Sequence, residues 1–470
     1  MLDLSPSEIT DGDLTRALLV LAAPLLVQNL VQVAQQVVDL FWLGRLSGEA
    51  VAAVGLVFPV LALVFAAAIY APFVGTQVVV SQRIGGEERE GAGRTVYNGL
   101  VLAVAFGLFV GLAVYVGARP LIDLLTATRP SSVAGVVPEL AASYLGVLAL
   151  GLPVLALSDT TEAGFIGWGD SRASLYMNLL AVVLNVVLDP ILIFGLWGAP
   201  ALGIEGAALA TVVGYGLAFL LGLGLLASGR NDGMFARAAV SLETNIQREI
   251  LDVGWPTAAQ QGARQVVRVL IVVVVFAVGG PAALAAYIVG ARVASIAFIP
   301  ASGLQQAAQS VVGQNLGAER PDRARRATWI GVGIAGGALA IIGVLQWFLP
   351  ATITRLLVPN VGPEALDLAV LYLQILAIGY PAIGAAYLLE AGFNGARRTR
   401  VSFAATLGQY AAVRLPIAAV GGIALGFGIA AVFWAVTISN VIAALALASY
   451  YHYATADGML RRAATQATAD

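Results

Sequence analysis

Twelve long apolar runs divide this chain, and they constrain its fold more than any other feature. Each run is long enough to cross the roughly 30 Å hydrocarbon core of a bilayer as a helix. Helices are expected because Gly, Ala, Leu and Val dominate and no ten-residue alternation typical of a transmembrane barrel is present. With 59% hydrophobic and 11% charged residues, the composition is that of a polytopic membrane protein. The runs cover residues 14–42, 50–80, 95–118, 134–167, 173–195, 203–228, 248–278, 282–313, 327–350, 364–394, 401–421 and 426–453.

Arginines in the connections between the runs indicate the orientation of the chain. The sequence has no lysine, so all 25 cationic side chains are arginines. Seventeen of these arginines, counting Arg16 and Arg248 at the first turns of their runs, lie on the side that carries both termini, and four lie on the opposite side. The remaining four lie deeper inside apolar runs. Because cytoplasmic loops are enriched in basic residues, we expect a cell-membrane protein with both termini in the cytoplasm.

The chain is an internal duplication. In a first block, Pro24, Gln28, Gln77, Gly85 and Arg94 recur at one constant offset as Pro256, Gln260, Gln309, Gly317 and Arg326. A second block, from Tyr144 to Arg172, recurs at a slightly shorter offset as Tyr372 to Arg400. Each half has six crossings, so the halves share an orientation. We therefore predict an all-α membrane protein of 12 transmembrane helices, in two six-helix bundles related by a pseudo-two-fold axis along the membrane normal, with a central cleft between them. The predicted domains are an N-terminal lobe (1–228), a cytoplasmic linker (229–247) and a C-terminal lobe (248–470).

A row of polar residues lies within the first apolar run. Gln28, Gln32, Gln35 and Asp39 follow one another at steps of four, three and four, which places them on one face of a helix. Lipid would not tolerate such a row, so it faces other helices or water. The glutamines either line a polar cavity or hold helices together by hydrogen bonds.

Acidic residues inside the apolar runs are concentrated in the first half. Ionisable groups at membrane depth are costly, so each is a functional candidate. Asp39, Asp159, Glu162 and Asp189 have as duplicated counterparts Ile271, Tyr387, Glu390 and Ile417. A symmetric scaffold would have kept both copies, so we interpret the unmatched acids as functional. Since Glu162 recurs as Glu390, a shared structural role is the alternative for that residue.

An ion site is predicted on the fifth run. Asn185 and Asp189 are four residues apart and share a helix face, and Pro190 follows and removes a backbone donor. Oxygen-rich ligands of this kind suit Na+, and a buried carboxylate equally suits a proton. Thr211 on the sixth run offers a further hydroxyl oxygen. The alternative is that Asn185 and Thr211 only hold helices together and Asp189 is one half of an ion pair.

The second half offers cations instead. Arg264 and Arg268 are four residues apart on the seventh run, one turn after Gln260 and Gln261. These arginines either pair with acids such as Asp252 or Glu390, or line the cleft and receive anionic groups.

Several classes of function are excluded by composition. Without lysine the chain has no Walker A site and no Schiff-base lysine, and without cysteine it has no thiol chemistry. His452 is the single histidine, so a two-histidine metal site is impossible. No basic run suggests nucleic acid. We expect neither an enzyme nor a cofactor beyond a coupling ion.

The sequence resembles the multidrug and toxic compound extrusion (MATE) transporters, over nearly the whole chain. The resemblance rests on the six-plus-six duplication, on residues 24–39, on the stretch 165–172, and on Asn185-x-x-x-Asp189-Pro190 running into 191–195. The pattern is most similar to the archaeal and DNA-damage-inducible branch, in which an acid cluster in the N-terminal lobe couples transport.

The resemblance implies a V-shaped pair of bundles, alternating access, and export driven by inward flow of Na+ or H+. It implies a bend of the first helix at Pro24. At positions 159 and 162 the family pattern leads us to expect amides, and this chain has acids. The implied ion-coupling residues, which are also the ligands of a Na+ ion, are Asp39, Asn185, Asp189 and Thr211. The expected cavity residues are Gln32, Gln35, Tyr144, Asp159 and Glu162 in the N-terminal lobe, and Gln261, Arg264 and Arg268 in the C-terminal lobe.

Two functions follow as hypotheses. The first is a Na+- or H+-coupled antiporter that exports amphipathic, mostly cationic organic compounds. The alternative is a flippase for lipids or lipid-linked saccharides on the same scaffold, motivated by Arg264 and Arg268. The expected partners are small molecules and the lipid bilayer, with lipid in the cleft under the alternative. We expect a monomer.

Overall fold

The computed structural model describes residues 6–126, 136–231, 233–234, 239–358 and 361–469. Within these ranges all the regular structure is helical. Of the predicted linker, residues 232 and 235–238 lie outside the described residues. The α-helices are α1 (Pro6–Asp11), α2 (Leu14–Leu46), α3 (Gly48–Ala68), α4 (Tyr70–Gly85), α5 (Arg89–Thr126), α6 (Val137–Trp168), α7 (Ser171–Phe194), α8 (Ile204–Ala227), α9 (Thr244–Ala297), α10 (Ile299–Gly317), α11 (Pro321–Phe348), α12 (Pro350–Leu357), α13 (Pro363–Gly395), α14 (Thr399–Leu407), α15 (Gly428–Ala456) and α16 (Met459–Ala469).

Eleven helical segments of the described chain are long and apolar enough to cross a membrane. The difference from twelve runs lies in α9, whose 54 residues span about 80 Å at the helical rise, far more than one crossing needs. At Gly280 the backbone leaves the helical region, with φ 64° and ψ −160°. This glycine lies between the seventh and eighth predicted runs, so α9 contains the seventh run and the start of the eighth. The all-helical fold is confirmed.

Three runs are less regular than predicted. The second run is divided into α3 and α4 at Ile69, and the eighth is completed by α10. The eleventh begins as α14 and continues as two π-helical segments, Gly408–Arg414 and Ile417–Ala424. The short helices α1 and α16, which are outside the apolar runs, were not predicted.

The chain forms two compact units, and each contains a small part of the opposite sequence half. One unit comprises residues 27–262, and the other comprises residues 1–26 together with 263–470. The chain passes from one unit to the other inside α2 and again inside α9. The lobe boundaries drawn from the sequence stay a prediction.

The duplication is visible in the packing of each unit. A Cβ at Gly167 would lie 2.7 Å from the carbonyl oxygen of Gln77, and one at Gly395 would lie 2.8 Å from that of Gln309. The two pairs are equivalent in the repeat, since Gln309 is the duplicated counterpart of Gln77 and Gly395 is that of Gly167. Each glycine lets two helices approach at backbone distance. The same close approach therefore organises both units.

Polar contacts lie near the starts of α2 and α9, the two helices in which the chain passes from one unit to the other. In the 27–262 unit, Arg83 forms a 2.7 Å ion pair with Glu249 of α9. In the other unit, Arg320 pairs with Asp11 of α1, and Arg323 Nη2 donates to the Gly12 carbonyl at 2.7 Å. The hydrogen bond from the Arg320 guanidinium lowers the pKa of the Asp11 carboxyl below its usual value. An ion pair thus lies near the start of α9, and an ion pair and a hydrogen bond lie just before the start of α2.

Candidate functional site

Two carboxyl groups meet in the 27–262 unit. Asp39 is half-buried on α2, and Asp189 on α7 is fully buried. Their side chains lie within hydrogen-bonding reach of each other. Neither Asp189 oxygen has a hydrogen-bond donor among the described residues, so the contact with Asp39 becomes a hydrogen bond only when one of the two carries a proton. No basic side chain of the described chain pairs with either acid.

Asn185 and Thr211 complete this group, as the sequence predicted they would if an ion site exists. Asn185 lies one turn before Asp189 and is also buried. When its amide nitrogen faces α2, the nitrogen donates to Asp39 Oδ1 at 2.8 Å, and the amide oxygen accepts from Thr211 Oγ1 at 3.1 Å. The same nitrogen is then 2.9 Å from the Gln35 amide. The structure therefore brings all four predicted ion-coupling residues together.

Proline does not interrupt α7 at this site. Pro190 lies inside the helix, which continues to Phe194. Proline has no N–H, so it leaves a carbonyl one turn earlier without its usual partner. The loosening expected from the sequence is thus limited to one missing donor beside the carboxyl pair.

Two predicted cavity residues lie at this carboxyl pair or near it. Tyr144 on α6 interacts electrostatically with both Asp39 and Asp189. Gln32 is half-buried on α2, two turns before Asp39. The polar row of the first run therefore extends along α2 to the acids.

A second acid pair, Asp159 and Glu162, lies on α6 in the same unit. Gln28 Nε2 donates to Glu162 Oε2 at 2.8 Å, and the Ser174 hydroxyl lies 3.1 Å from the same oxygen. Glu162 is buried and has an electrostatic interaction with Asp159. Gln28 therefore holds helices together here, which is one of the two roles that the sequence left open.

Sequence reasoning missed two residues of this region. Ser174 bonds both Gln28 and Glu162, and Tyr215 on α8 interacts electrostatically with Asp159, Glu162 and Asp39. Both residues are common types within apolar helices, so their spacing carried no signal. Tyr215 places a hydroxyl-bearing ring near both acid pairs.

The other unit holds the duplicated glutamate differently. Arg264 Nη2 donates to Glu390 Oε1 at 2.8 Å and to Oε2 at 3.0 Å. Gln305 and Thr406 add longer contacts of 3.3 and 3.4 Å. Of the two roles that the sequence left open for Arg264, pairing with Glu390 is the one observed.

The remaining predicted residues are dispersed. Arg268 is exposed on α9, and it forms no ion pair with a described residue. Gln261 belongs to the 27–262 unit, where its Nε2 donates to the Tyr70 hydroxyl at 3.2 Å. Pro24 lies inside α2, two residues before the chain passes from the unit formed by residues 1–26 and 263–470 into the 27–262 unit. Gln261 was predicted to line one cavity with Arg264 and Arg268. It instead contacts α4 and belongs to a different compact unit from Arg264.

These features define a class. Membrane-crossing helices occur here in a duplicated arrangement, and a carboxyl pair on them has no basic partner among the described residues. These are the attributes of a membrane transporter.

The sequence profile of the MatE family matches this chain twice, at residues 24–191 and at residues 256–420. The chain therefore belongs to the MatE family, and the resemblance inferred from sequence is confirmed. The two matches begin at Pro24 and Pro256, which are equivalent positions of the duplication. Members of this family are multidrug efflux transporters that act on small molecules, so the protein is a transporter and not an enzyme.

Individual relatives are distant but cover most of the chain. A probable multidrug resistance protein NorM of Thermotoga maritima is 26% identical over 417 residues, covering 86% of this chain and 85% of the relative. A FAD transporter of Shewanella oneidensis is 26% identical over 443 residues, covering 93% of each. Among solved structures, a MOP superfamily transporter from Pyrococcus furiosus has a TM-score of 0.86 at 23% identity, covering 96% of this chain and 98% of that one. This last likeness shows the fold alone.

Proposed function

We propose that the protein is a cation-coupled antiporter of the cell membrane, which exports amphipathic, mostly cationic organic compounds by alternating access. The observation that carries the proposal is the contact between Asp39 and Asp189 without a basic partner among the described residues. Both relatives described above support export of organic molecules, since one is named a multidrug resistance protein and the other a FAD transporter.

The carboxyl pair requires a bound cation. Two carboxylates in contact cannot both stay ionised at membrane depth unless a positive charge lies between or beside them. A proton shared by the pair satisfies this requirement. A Na+ ion held by the two carboxyls, the Asn185 amide oxygen and the Thr211 hydroxyl satisfies it equally, since hard cations prefer oxygen ligands. Either ion makes the occupancy of the site depend on a transmembrane gradient.

The Asn185 amide links a proton on Asp39 to α8. With Asp39 ionised, the amide nitrogen donates to Asp39 and the amide oxygen accepts from Thr211. With Asp39 protonated, its hydroxyl donates to the amide oxygen across the same 2.8 Å, and the amide nitrogen donates to Thr211 Oγ1 at 3.1 Å. The Thr211 hydroxyl then donates to the Ala207 carbonyl at 3.2 Å. Protonation of Asp39 would therefore reverse the direction of the hydrogen-bond chain from Asp39 through Asn185 to Thr211.

Movement of α2 accompanies this exchange in our proposal. Pro24 removes a helical hydrogen bond, and the division between compact units falls at Leu26 and Val27. A proline beside the point where a helix passes between two bodies is a suitable hinge. Arginine bias supports cytoplasmic termini, and we expect a monomer.

The alternative function, lipid flipping, receives less support than the sequence suggested. It was motivated by the charges of Arg264 and Arg268. Because Arg264 is paired with Glu390, its charge is neutralised within its own unit.

Transport by purified protein in vesicles tests the proposal. An ethidium-like dye should be exported when a proton gradient or a sodium gradient is imposed alone, and the effective gradient identifies the ion. Asp39→Asn and Asp189→Asn should each reduce export by at least about tenfold, since one ionisable partner is lost. Asp252→Asn is the matched control, because Asp252 is exposed and its ion pair with Arg248 is long, at 3.9 Å. Export at the parental rate by both site variants would show that the carboxyl pair does not couple transport.

A further inference from the structure

We propose that the unit formed by residues 1–26 and 263–470 contains a binding subsite for the acidic group of an aromatic amphiphile, formed by Arg414 and Arg268 beside Tyr410. The ligand class is a phosphate or carboxylate attached to an aromatic or apolar body. The inference rests on the proposed export function, because it extends the substrate class from cations to anions and zwitterions.

Arg414 is a buried cation without a counter-charge among the residues that the structure describes. The residue is 7% exposed, its Nε donates to Ser439 Oγ at 2.9 Å, and its Nη2 donates to Asn440 Oδ1 at 2.6 Å. No carboxylate of the described chain forms an ion pair with it. Arginine does not lose its proton in proteins, so this positive charge is permanent. A permanent buried charge with only neutral partners is a functional candidate.

The backbone around Arg414 has an unusual form. Arg414 ends the π-helical segment Gly408–Arg414, and a second π-helical segment covers Ile417–Ala424. The duplicated helix in the other unit, α7, is α-helical throughout Ser171–Phe194. π-Helical segments are rare and frequently occur at functional sites. The repeat places Ile417 where α7 has Asp189, so this copy has lost the acid and carries Arg414 three residues earlier.

The charge balance in this region is positive. Arg264 and Glu390 neutralise each other, which leaves the charges of Arg268 and Arg414 uncompensated among the described residues. Tyr410 interacts electrostatically with all three arginines, and the Arg414 guanidinium lies 4.1 Å from the centre of its ring. The Arg414 guanidinium thus stacks on Tyr410 and Arg268 acts electrostatically on the same tyrosine, so we place the acidic group of the ligand beside this ring. Guanidinium groups bind phosphate and carboxylate through paired hydrogen bonds.

Aromatic side chains extend from this cationic group. Tyr287 interacts electrostatically with Arg268 and Arg414, and its ring stacks on Tyr372 with centroids 5.5 Å apart. Tyr372 stacks in turn on Phe433 at 4.4 Å. A ligand with an aromatic body would continue this stack while its acidic group contacts the arginines. A soluble aromatic anion and the head group of a phospholipid share this acidic chemistry.

The test uses two ligands that differ only by a phosphate group. Riboflavin 5′-phosphate (FMN) and riboflavin have the same ring system, and only FMN carries a phosphate. Binding to the purified full-length protein in detergent is followed by quenching of flavin fluorescence. The parent should bind FMN at least about tenfold more tightly than riboflavin, as charge-assisted hydrogen bonds to phosphate predict. Equal binding of the two flavins by the parent would overturn the proposal.

Variants assign this preference to the arginines. Arg268→Gln and Arg414→Gln should each reduce the preference for FMN several-fold, while Arg414→Lys should keep part of it because the charge remains. Arg268 is exposed, so Arg268→Gln keeps the test valid if the buried Arg414→Gln does not fold. Arg292→Gln, which removes an exposed arginine from the same helix, is the control and should bind both flavins as the parent does. An unchanged preference in Arg268→Gln and Arg414→Gln would refute the assignment.

Two further measurements separate the sources of the ligand and the two proposals. Phosphatidylglycerol that competes with FMN, where phosphatidylcholine does not, would identify a lipid head group as the ligand, and the absence of competition would identify a soluble anion. If the parent exports the cationic dye but does not discriminate FMN from riboflavin, the subsite is wrong and the export function stands. If it discriminates the flavins but exports no dye under either gradient, the export function is wrong and the subsite stands.

Discussion

Removal of the Glu390 charge would leave Arg264 as an uncompensated cation inside the membrane. Arg264 Nη2 contacts both Glu390 oxygens, at 2.8 and 3.0 Å, and the side chains of Arg264 and Glu390 are 19% and 7% exposed. Breaking a buried pair by removing one partner costs about 3–5 kcal/mol. Because Arg264 retains some exposure, we expect Glu390→Gln to cost about 3 kcal/mol, near the lower end of that range.

The double substitution separates this charge effect from simple loss of contacts. In Arg264→Gln/Glu390→Gln no charge remains, so we expect a loss of about 1 kcal/mol. Relative to Glu390→Gln, the double variant should therefore recover about 2 kcal/mol, as expected for a buried pair whose members interact. The exposed pair Arg462–Asp457, at 2.9 Å with side chains 56% and 62% exposed, is the control. Asp457→Asn should cost less than about 1 kcal/mol.

Thermal unfolding of the purified protein in detergent measures these differences. For a unit of this size, about 3 kcal/mol corresponds to a Tm lower by about 6–12 °C. The double variant should recover most of that loss. If Glu390→Gln unfolds at the same temperature as Asp457→Asn, Arg264 is not held by Glu390. Arg264 would then be free to bind anions together with Arg268.

Three other predictions follow from the repeat and from the first helix. Gln32→Arg places a cation where the duplicated half has Arg264; it should pair with Glu162 and reduce export of a cationic dye by at least about tenfold. Asp11→Asn should increase hydrogen exchange of α1 at neutral pH, because the contact with Arg320 is lost. The contact lowers the pKa of the Asp11 carboxyl, so it stabilises the folded parent at pH values above about 4. The parent should therefore show the same increase in exchange only as the pH falls below about 4. Gly167→Ala should destabilise the protein by about 1–3 kcal/mol, since its Cβ would lie 2.7 Å from a main-chain oxygen.

Controls for these three changes are available in the same chain. Gly333→Ala adds a methyl group where no atom lies within 4 Å, so it should leave stability equal or slightly higher. Gln36→Arg introduces the same charge on an exposed position of α2 and should leave dye export unchanged. If Gln36→Arg and Gln32→Arg inhibit equally, the effect is not specific to the glutamate. Unchanged exchange of α1 in Asp11→Asn would show that its ion pair does not hold the helix.

The sequence was sufficient to predict the helices and the duplication. Hydropathy locates the membrane crossings. Within a bilayer the backbone must form all its hydrogen bonds internally, and a long apolar run without barrel alternation does so as a helix. The repeat of Pro24 as Pro256 located the second half at the correct offset. That Asp39 and Asp189 belong to one site was also expected, because the resemblance to the MATE family implied it and both acids lack a duplicated copy.

Other features depended on information that is not local in sequence. The π-helical form around Arg414 does not follow from sequence, because Gly408 and Pro416 are also compatible with an ordinary kinked helix. The inclusion of residues 1–26 in the unit formed by residues 263–470 depends on long-range packing. The choice between pairing and cavity lining for Arg264 also needed the structure, because Glu390 is 126 residues away in the chain. The sequence allowed Arg264 either to pair with an acid or to line a cavity. Only the folded structure brings the Glu390 carboxylate to 2.8 Å from the Arg264 guanidinium.

The different partners of Glu162 and Glu390 distinguish the two copies of this glutamate electrostatically. Both halves retain this glutamate on equivalent helices, and both place a polar residue opposite it. In the 27–262 unit the partner is the neutral Gln28, so the acid has no internal counter-charge and must take one from a proton, an ion or a substrate. In the other unit Arg264 supplies that charge permanently, and an exchangeable cation would have to displace it. Under the proposed antiport, the absence of a basic partner among the described residues, and not the presence of a glutamate, would make the copy in the 27–262 unit the one available for cation coupling.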